Sequence, residues 1–280
     1  MNTLNNKTKK CKQPTDINYC QDKSSGGHQG AILSIDKKTC IKKISQLNNE
    51  NKFYNKHNEL IKNGITILKN YIPKYNGICI LNDIKYIQFE NLKGLFNQPL
   101  SIDIKIGYKS ASKKIIKNKT KKIYKIYSKL IKHYILDKFM SQSSNVGFRI
   151  EGVSLPNNIK LSKFDVMKSN INKILDYYFT NDKNNKNLNL FIKILNEFSY
   201  NIEDSNFDKY RFVGASILFT YDGLNENINP SFKLIDFENS LILNNENDIK
   251  NNAKHANKFR KSIKSLITIL TNYLNNKNLL

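Results

Sequence analysis

The stretch "PLSIDIKIG", residues 99–107, alternates Ile102, Ile104 and Ile106 with Ser101, Asp103 and Lys105. Strict alternation of apolar and polar residues predicts a half-buried strand, and Gly107 ends it. Side chains at i and i+2 of a strand project the same way, roughly 6.5–7 Å apart. Asp103 and Lys105 therefore stand side by side on the polar face while the isoleucines anchor the other. Such a pair is either an ordinary surface ion pair or two groups that both address a third, charged object.

Working outward, "ICIL" (78–81) and "IKYIQFE" (84–90) read as a hairpin around Asn82-Asp83. "KTCIKKIS" (38–45) reads as a further strand carrying Lys42, with Lys43 as the other register, after the Gly-rich turn in "SSGGHQGAIL" (24–33). "ENKFYNKHNELIKN" (50–63) has Phe53, Leu60 and Ile61 at helical spacing, "YIPKYNG" (71–77) is a connection and "NLKGLFNQP" (91–99) a linker. The first hundred residues thus predict a mostly antiparallel sheet with one helix. Beyond Gly107, residues 113–138 hold ten lysines and a single acid, Asp137, with Ile123, Ile126, Leu130 and Tyr134 as an apolar stripe. That pattern predicts a basic helix. Strands are expected over 145–155, 211–223 and 231–240. Helices are expected over 162–179, with Phe164, Met167, Ile171 and Ile174 inward, over 188–199, and at the C-terminal end around Phe259, Ile263, Leu266, Ile267, Leu270 and Leu274. The class is α+β, in two lobes: a flexible polar tail (1–24), a sheet-rich lobe with its hinge (25–98) and a larger lobe (99–280).

Composition sets the limits. At 280 residues and 39% hydrophobic, the chain can bury a sizeable core, and it lacks an apolar run of membrane-spanning length. Its formal charge of +23, from 46 basic against 23 acidic residues, calls for an anionic partner without naming one. Cys11, Cys20, Cys40 and Cys79 show no CxxC spacing. This argues against zinc and for a reducing, intracellular compartment, cytoplasmic or nuclear, with Cys40 and Cys79 buried in strands.

Chemistry on polyanions with magnesium needs a glycine-rich cover, a strand lysine, a carboxylate for the metal and cations for the acceptor. Candidates occur in that order: Gly26-Gly27, Lys42, Asp236 at the end of "FKLIDF", and the basic helix with its interleaved Tyr124, Tyr127 and Tyr134. A buried-strand carboxylate such as Asp236 is costly unless paired or metal-bound. Taken singly, each also fits a plain structural role: a hairpin, an edge-strand lysine, a turn aspartate, a solvated or nucleic-acid-facing helix.

Together the blocks resemble the inositol polyphosphate kinases. "PLSIDIKIG" fits the family signature PxxxDxKxG through Pro99, Asp103, Lys105 and Gly107. "ASILFTYDG" is similar to its S-S-L-L block, with Ala215 for the first serine. "KLIDFENS" is similar to its I-D-F block, "GGHQG" to its glycine–histidine loop, "YIPKYNG" to another family block and "FENL" to its hinge. The resemblance runs over about residues 26–240 and implies a two-lobed, protein-kinase-related fold that transfers the ATP γ-phosphate to an inositol phosphate. It implies Lys42 on the ATP phosphates, Glu90 and Leu92 at adenine through their backbone, and Asp103 at the ribose or as a catalytic acid–base group. It further implies Lys105 at the acceptor and the transferring phosphoryl, and Asp236 on Mg2+ with Ser216 near it. Lys113, Lys114, Lys117, Lys121 and Lys122 of the basic helix fall in the acceptor-binding segment, and Asn239 is placed to bond a substrate hydroxyl.

Where the family has a small residue and histidine after I-D-F, this chain has Glu238-Asn239, and the glycine–aromatic lead into the last helix is missing. "GFRIEG" (147–152) resembles the multikinase and hexakisphosphate-kinase branches, and a multikinase-like activity is the first expectation. The alternatives are a hexakisphosphate kinase making pyrophosphates, or a catalytically degenerate basic module that binds nucleic acid or lipid headgroups. Expected partners are ATP, Mg2+ and an inositol polyphosphate, without specific nucleic acid, on a monomeric chain.

Overall fold

In the computed structural model, residues 9–14, 20, 32–44, 49–107, 146–155, 160–161 and 170–279 are described. Among the described residues, two five-stranded sheets and four α-helices make up an α+β, two-lobed architecture. The first sheet contains β1 (Lys9–Lys10), β2 (Ile32–Asp36), β3 (Thr39–Lys43), β4 (Tyr75–Leu81) and β5 (Ile84–Glu90), in the order β1-β4-β5-β3-β2. All its pairs are antiparallel except β1 with β4. Asn82 and Asp83 join β4 to β5 with φ of 47° and 62°, the left-handed pair a two-residue hairpin requires. β4 begins at Tyr75, so part of the expected connection 71–77 is strand.

β6 (Pro99–Ile106) is the central strand of the second sheet, between β7 (Phe148–Ser154) and β10 (Ser216–Asp222). β8 (Lys160–Leu161) and β11 (Ser231–Ile235) close its edges, and β9 (Tyr210–Arg211) pairs separately with β12 (Leu241–Ile242). The expected strand 211–223 is therefore two strands, broken at residues 212–215. Ile102, Ile104 and Ile106 are almost fully buried; on the polar face Asp103 and Lys105 keep partial exposure, although the Asp103 Oδ1 atom is enclosed, and Ser101 is buried too.

The helices are α1 (Glu50–Lys62), α2 (Ile171–Tyr178), α3 (Lys186–Asn201) and α4 (Glu246–Lys277). α4 starts where Asn245 accepts hydrogen bonds from the Asn247 and Asp248 amides, with Glu246 and Asp248 favouring the positive end of the helix dipole. The face α1 buries is Glu50, Phe53, Tyr54 and His57, spaced i, i+3, i+4, i+7, whereas Leu60 and Ile61 are only partly covered. Phe53 and Tyr54 belong to the same contiguous core as the aromatics of the second lobe. Phe53 stacks on Phe237 at 4.2 Å, and Tyr54 meets the same ring edge-on.

Two expectations change. Part of the presumed tail is anchored: Lys9 and Lys10 form β1, Cys11 is bonded to Cys79, and Cys20 to Cys40. The four cysteines are thus two disulfides rather than four thiols, although Cys40 and Cys79 do sit buried in strands. Spacing misses them because each bond joins segments far apart in sequence that only the fold brings together, with Cα atoms 4.9 and 5.9 Å apart. The glycine-rich turn, the basic helix, and Phe164 and Met167 lie outside the described residues. No helix among the described residues is long and apolar enough to cross a membrane.

Candidate active site

A cavity of about 130 Å³ lies between the two sheets. Ile32, Cys40 and Phe89 form its wall on the first sheet, and Asp103, Leu218 and Ile235 the facing wall on the second. Cys40 and Lys42 share one face of β3, because they are two residues apart. Lys43 is exposed, and of the two lysines it is Lys42 that lines the cavity.

Lys42 Nζ is 2.9 Å from Glu50, 3.8 Å from Asp236 and 3.7 Å from Glu238. Burial alone would lower the lysine's pKa, but the three carboxylates, Glu50 foremost, outweigh it and hold the ammonium well above its ordinary range. Glu50 is 4% exposed, and burial pushes its carboxyl up against the pull of Lys42. Its importance is invisible in sequence, where one glutamate opens a helix among polar neighbours. The signal is its place three residues before Phe53, in register with the buried face.

On the second sheet, Asp103 stands opposite Leu218 of β10 and Gly152 of β7, and Lys105 opposite Ser216 and Arg149. Gly152 contributes no side chain, and the space beside it is open. β7 bulges between the partners of Asp103 and Ile104, inserting Glu151. Glu151 accepts from Arg149 Nε at 2.6 Å and lies 3.9 Å from Lys105 Nζ. Lys105 is not part of the cavity wall but sits beyond it, held between these strands. Burial first, then the charge of Asp236, pushes the Asp103 carboxyl up to about 7, with Lys105 opposing. Asp103 Oδ1 and Asn239 Oδ1 are buried without a hydrogen-bond partner among the described residues, and the buried Ser216 hydroxyl interacts with the Asp103 carboxylate, pulling its pKa down against the effect of burial. Orphaned buried oxygens are rare in native folds and mark places where a ligand or ion completes the set.

Asp236 leaves β11 in the left-handed region (φ 66°, ψ 60°) and opens the short turn Phe237–Asn239. Aspartate tolerates that conformation better than most residues. The stacked Phe237 then fixes the turn against α1, so Asp236 and Glu50 are positioned by one aromatic contact. Among the linker residues, Asn91, Leu92 and Lys93 line the cavity and Glu90 does not. The Glu90 N–H donates to the Lys74 carbonyl, and its carboxylate accepts from the Lys74 N–H and pairs with Lys233 at 3.2 Å. The Asn91 N–H donates to the Lys38 carbonyl, while the Leu92 N–H makes no hydrogen bond among the described residues. The structure thus brings Lys42, Asp103, Asp236 and Leu92 into the cavity wall together with Glu50, leaves Lys105 and Asn239 outside that wall, sets Glu90 behind it, and adds Glu238 beside Lys42 and Arg149 and Glu151 beside Lys105. Lys113, Lys114, Lys117, Lys121 and Lys122 fall outside the described residues.

Solved structures share this architecture. The inositol phosphate multikinase Ipk2 from S. cerevisiae, in complex with ADP and Mn2+, aligns with a TM-score of 0.63 at 20% identity, covering 85% of this chain and 99% of that one. A further inositol phosphate multikinase, from a structural and protein-engineering study, aligns with a TM-score of 0.58 at 18% identity over 79% of this chain and 97% of its own. At these identities the likeness speaks for the fold. No curated protein matches the chain by sequence. The inositol polyphosphate kinase family model matches residues 86–271, which takes in β6, β10, β11 and most of α4. That match spans well over half the chain, from the Asp103–Lys105 strand through the Asp236 turn, and the chain belongs to the inositol polyphosphate kinase family.

Proposed function

We infer that the chain transfers the γ-phosphoryl group of ATP to an inositol polyphosphate. The observation that carries this reading is the single polar face of β6. Asp103 opens into the inter-sheet cavity opposite Lys42 and Asp236, and Lys105 stands immediately outside it. Adenine would lie between Ile32 and Leu218, against the Leu92 N–H, which makes no hydrogen bond among the described residues. Lys42, oriented by Glu50, would hold phosphate oxygens, and Asp103 would meet the ribose. Asp236 and the buried Ser216 hydroxyl beside Asp103 are oxygen donors that suit a magnesium ion. When bound, that ion would neutralise charge on the phosphates. Lys105, braced by Glu151 and Arg149, would meet the acceptor and the transferring group. Positioning and electrostatics of this kind supply most of the rate in phosphoryl transfer.

Glu238 bears on the acceptor. It stands where the resemblance expects a small residue, and it pairs with Lys42 at 3.7 Å. A multikinase-like choice of acceptor remains our reading, resting on the resemblance of "GFRIEG". The test is incubation with radiolabelled ATP, Mg2+ and a panel of inositol phosphates, for wild type and for Lys105→Ala and Asp236→Ala. Both variants should lose at least about a hundredfold in kcat, and Lys105→Ala should keep nearly normal ATP binding. Unchanged turnover in Lys105→Ala would overturn the assignment. Salt-sensitive polyanion binding without turnover in wild type would favour a degenerate binding module.

A further inference from the structure

The cleft face of the second sheet is built in rows across β7, β6 and β10, because residues directly opposite each other in antiparallel strands share a face. One row from Asp103, towards the linker that leads into β6, Ser101 stands between Ser154 of β7 and Thr220 of β10. Rows of this kind are two residues apart, roughly 6.5–7 Å. Ser101 and Ser154 both line the cavity, beside apolar Leu218 and Ile235. Thr220 is fully enclosed, and its hydroxyl donates to Ser101 Oγ at 3.1 Å. That bond takes up one acceptor position of Ser101 and leaves its own proton to be donated. Ser154 is 8% exposed, and its hydroxyl makes no hydrogen bond among the described residues. A buried hydroxyl without a partner is costly, so two donors on one apolar slot are groups that a ligand completes.

We propose that Ser101 and Ser154 read the base of the nucleotide, donating to a ring nitrogen on the edge of a purine that rests on Leu218. This deepens the reading of the cavity as an ATP site and rests on it. A base on Leu218 with its ribose at Asp103 turns one edge along the strands, towards the hydroxyl row. Unprotonated purine ring nitrogens are acceptors, which matches the two O–H donors, and the Leu92 N–H on the linker serves a different nitrogen. An apolar slot grips any flat ring of the right size. Hydroxyls within it discriminate, because a ring that lacks the acceptor leaves a buried donor unpaired. The row therefore makes Ser101 and Ser154 specificity-determining residues for the phosphoryl donor, while Thr220 is a positioning residue that aims the Ser101 proton into the slot.

The experiment titrates the full chain calorimetrically with ATP and with its 1-deaza, 3-deaza and 7-deaza analogues, in each of which one ring nitrogen is replaced by C–H. It is run on wild type, Ser154→Ala and Ser101→Ala. Each variant should bind ATP about tenfold more weakly than wild type, the effect of one buried hydrogen bond. One analogue should bind wild type about tenfold more weakly than ATP and lose nothing further in at least one of the variants, since donor and acceptor are two halves of one bond. An analogue that is weak because it lacks the partner of Leu92 stays sensitive to both serines. The cycle compares ligands on the same protein, so a general loosening of a variant does not imitate the result, and the wild-type series needs no variant to fold. Unchanged ATP affinity in both variants, losses that multiply for every analogue, or wild type binding all three analogues as tightly as ATP overturns the base-reading row and leaves the nucleotide site standing. Absence of ATP binding in wild type overturns both.

Discussion

Two buried groups titrate in opposite senses. Asp103 has its carboxyl pushed up to about 7, chiefly by burial, so the folded chain binds a proton that the unfolded chain releases near 4. Its contribution to stability is complete below pH 4 and is lost as pH rises through 7, by roughly 4 kcal/mol in all. His57 is buried on α1 with Nδ1 3.1 Å from the Tyr210 hydroxyl, and burial lowers its pKa to about 4. Its contribution is present above pH 6.5 and is lost as pH falls through 4, by roughly 3 kcal/mol. The two slopes nearly cancel in wild type. Asp103→Asn should expose the histidine's slope, so that urea-derived stability climbs between pH 4 and 6.5 more steeply than in wild type. The same slope in both proteins would contradict the buried, protonated aspartate.

Among the elements, the residue 91–98 segment shows how the cleft keeps its shape. Gly94 packs so closely on the turn between β2 and β3 that an added Cβ would collide with the Lys37 carbonyl oxygen and crowd the Asn91 amide. The backbone there cannot give way freely, because Asn91 N–H is bonded to the Lys38 carbonyl and Asn97 and Gln98 N–H to the Asp222 carboxylate. Gly94→Ala should therefore destabilise by about 1–3 kcal/mol and raise the KM for ATP more than that for the acceptor. Thermal unfolding and steady-state kinetics would check both halves. A variant with wild-type melting and an unchanged KM for ATP would show that the contact is not needed.

For the whole molecule, charge is the dominant property. A formal +23 on 280 residues makes a field that attracts polyanions. The kcat/KM for a polyphosphorylated acceptor should fall about tenfold as ionic strength rises from about 0.05 M to about 0.3 M, since screening shortens the reach of exposed charge. The decline should be shallower for an acceptor with fewer phosphates. Equal salt dependence for both would mean that the surplus charge does not guide the substrate.

Much of this was legible beforehand. Period-two alternation in 99–107 dictates which side of β6 is buried, because side chains must point to opposite faces of a pleated strand. The Asn82-Asp83 turn, the α4 stripe and the placement of Asp103 and Lys105 follow from similarly local rules. What only the tertiary structure decided is non-local. Glu50 and His57 lie on the buried face of α1 because the aromatic stack of Phe53 on Phe237, and the partners Lys42 and Tyr210, meet them from distant segments. Hydrophobic spacing cannot announce a buried polar residue, since its burial depends on a partner elsewhere in the chain. The disulfides obey the same logic: local sequence specified strands and faces, and only the tertiary structure brought Cys11 to Cys79 and Cys20 to Cys40.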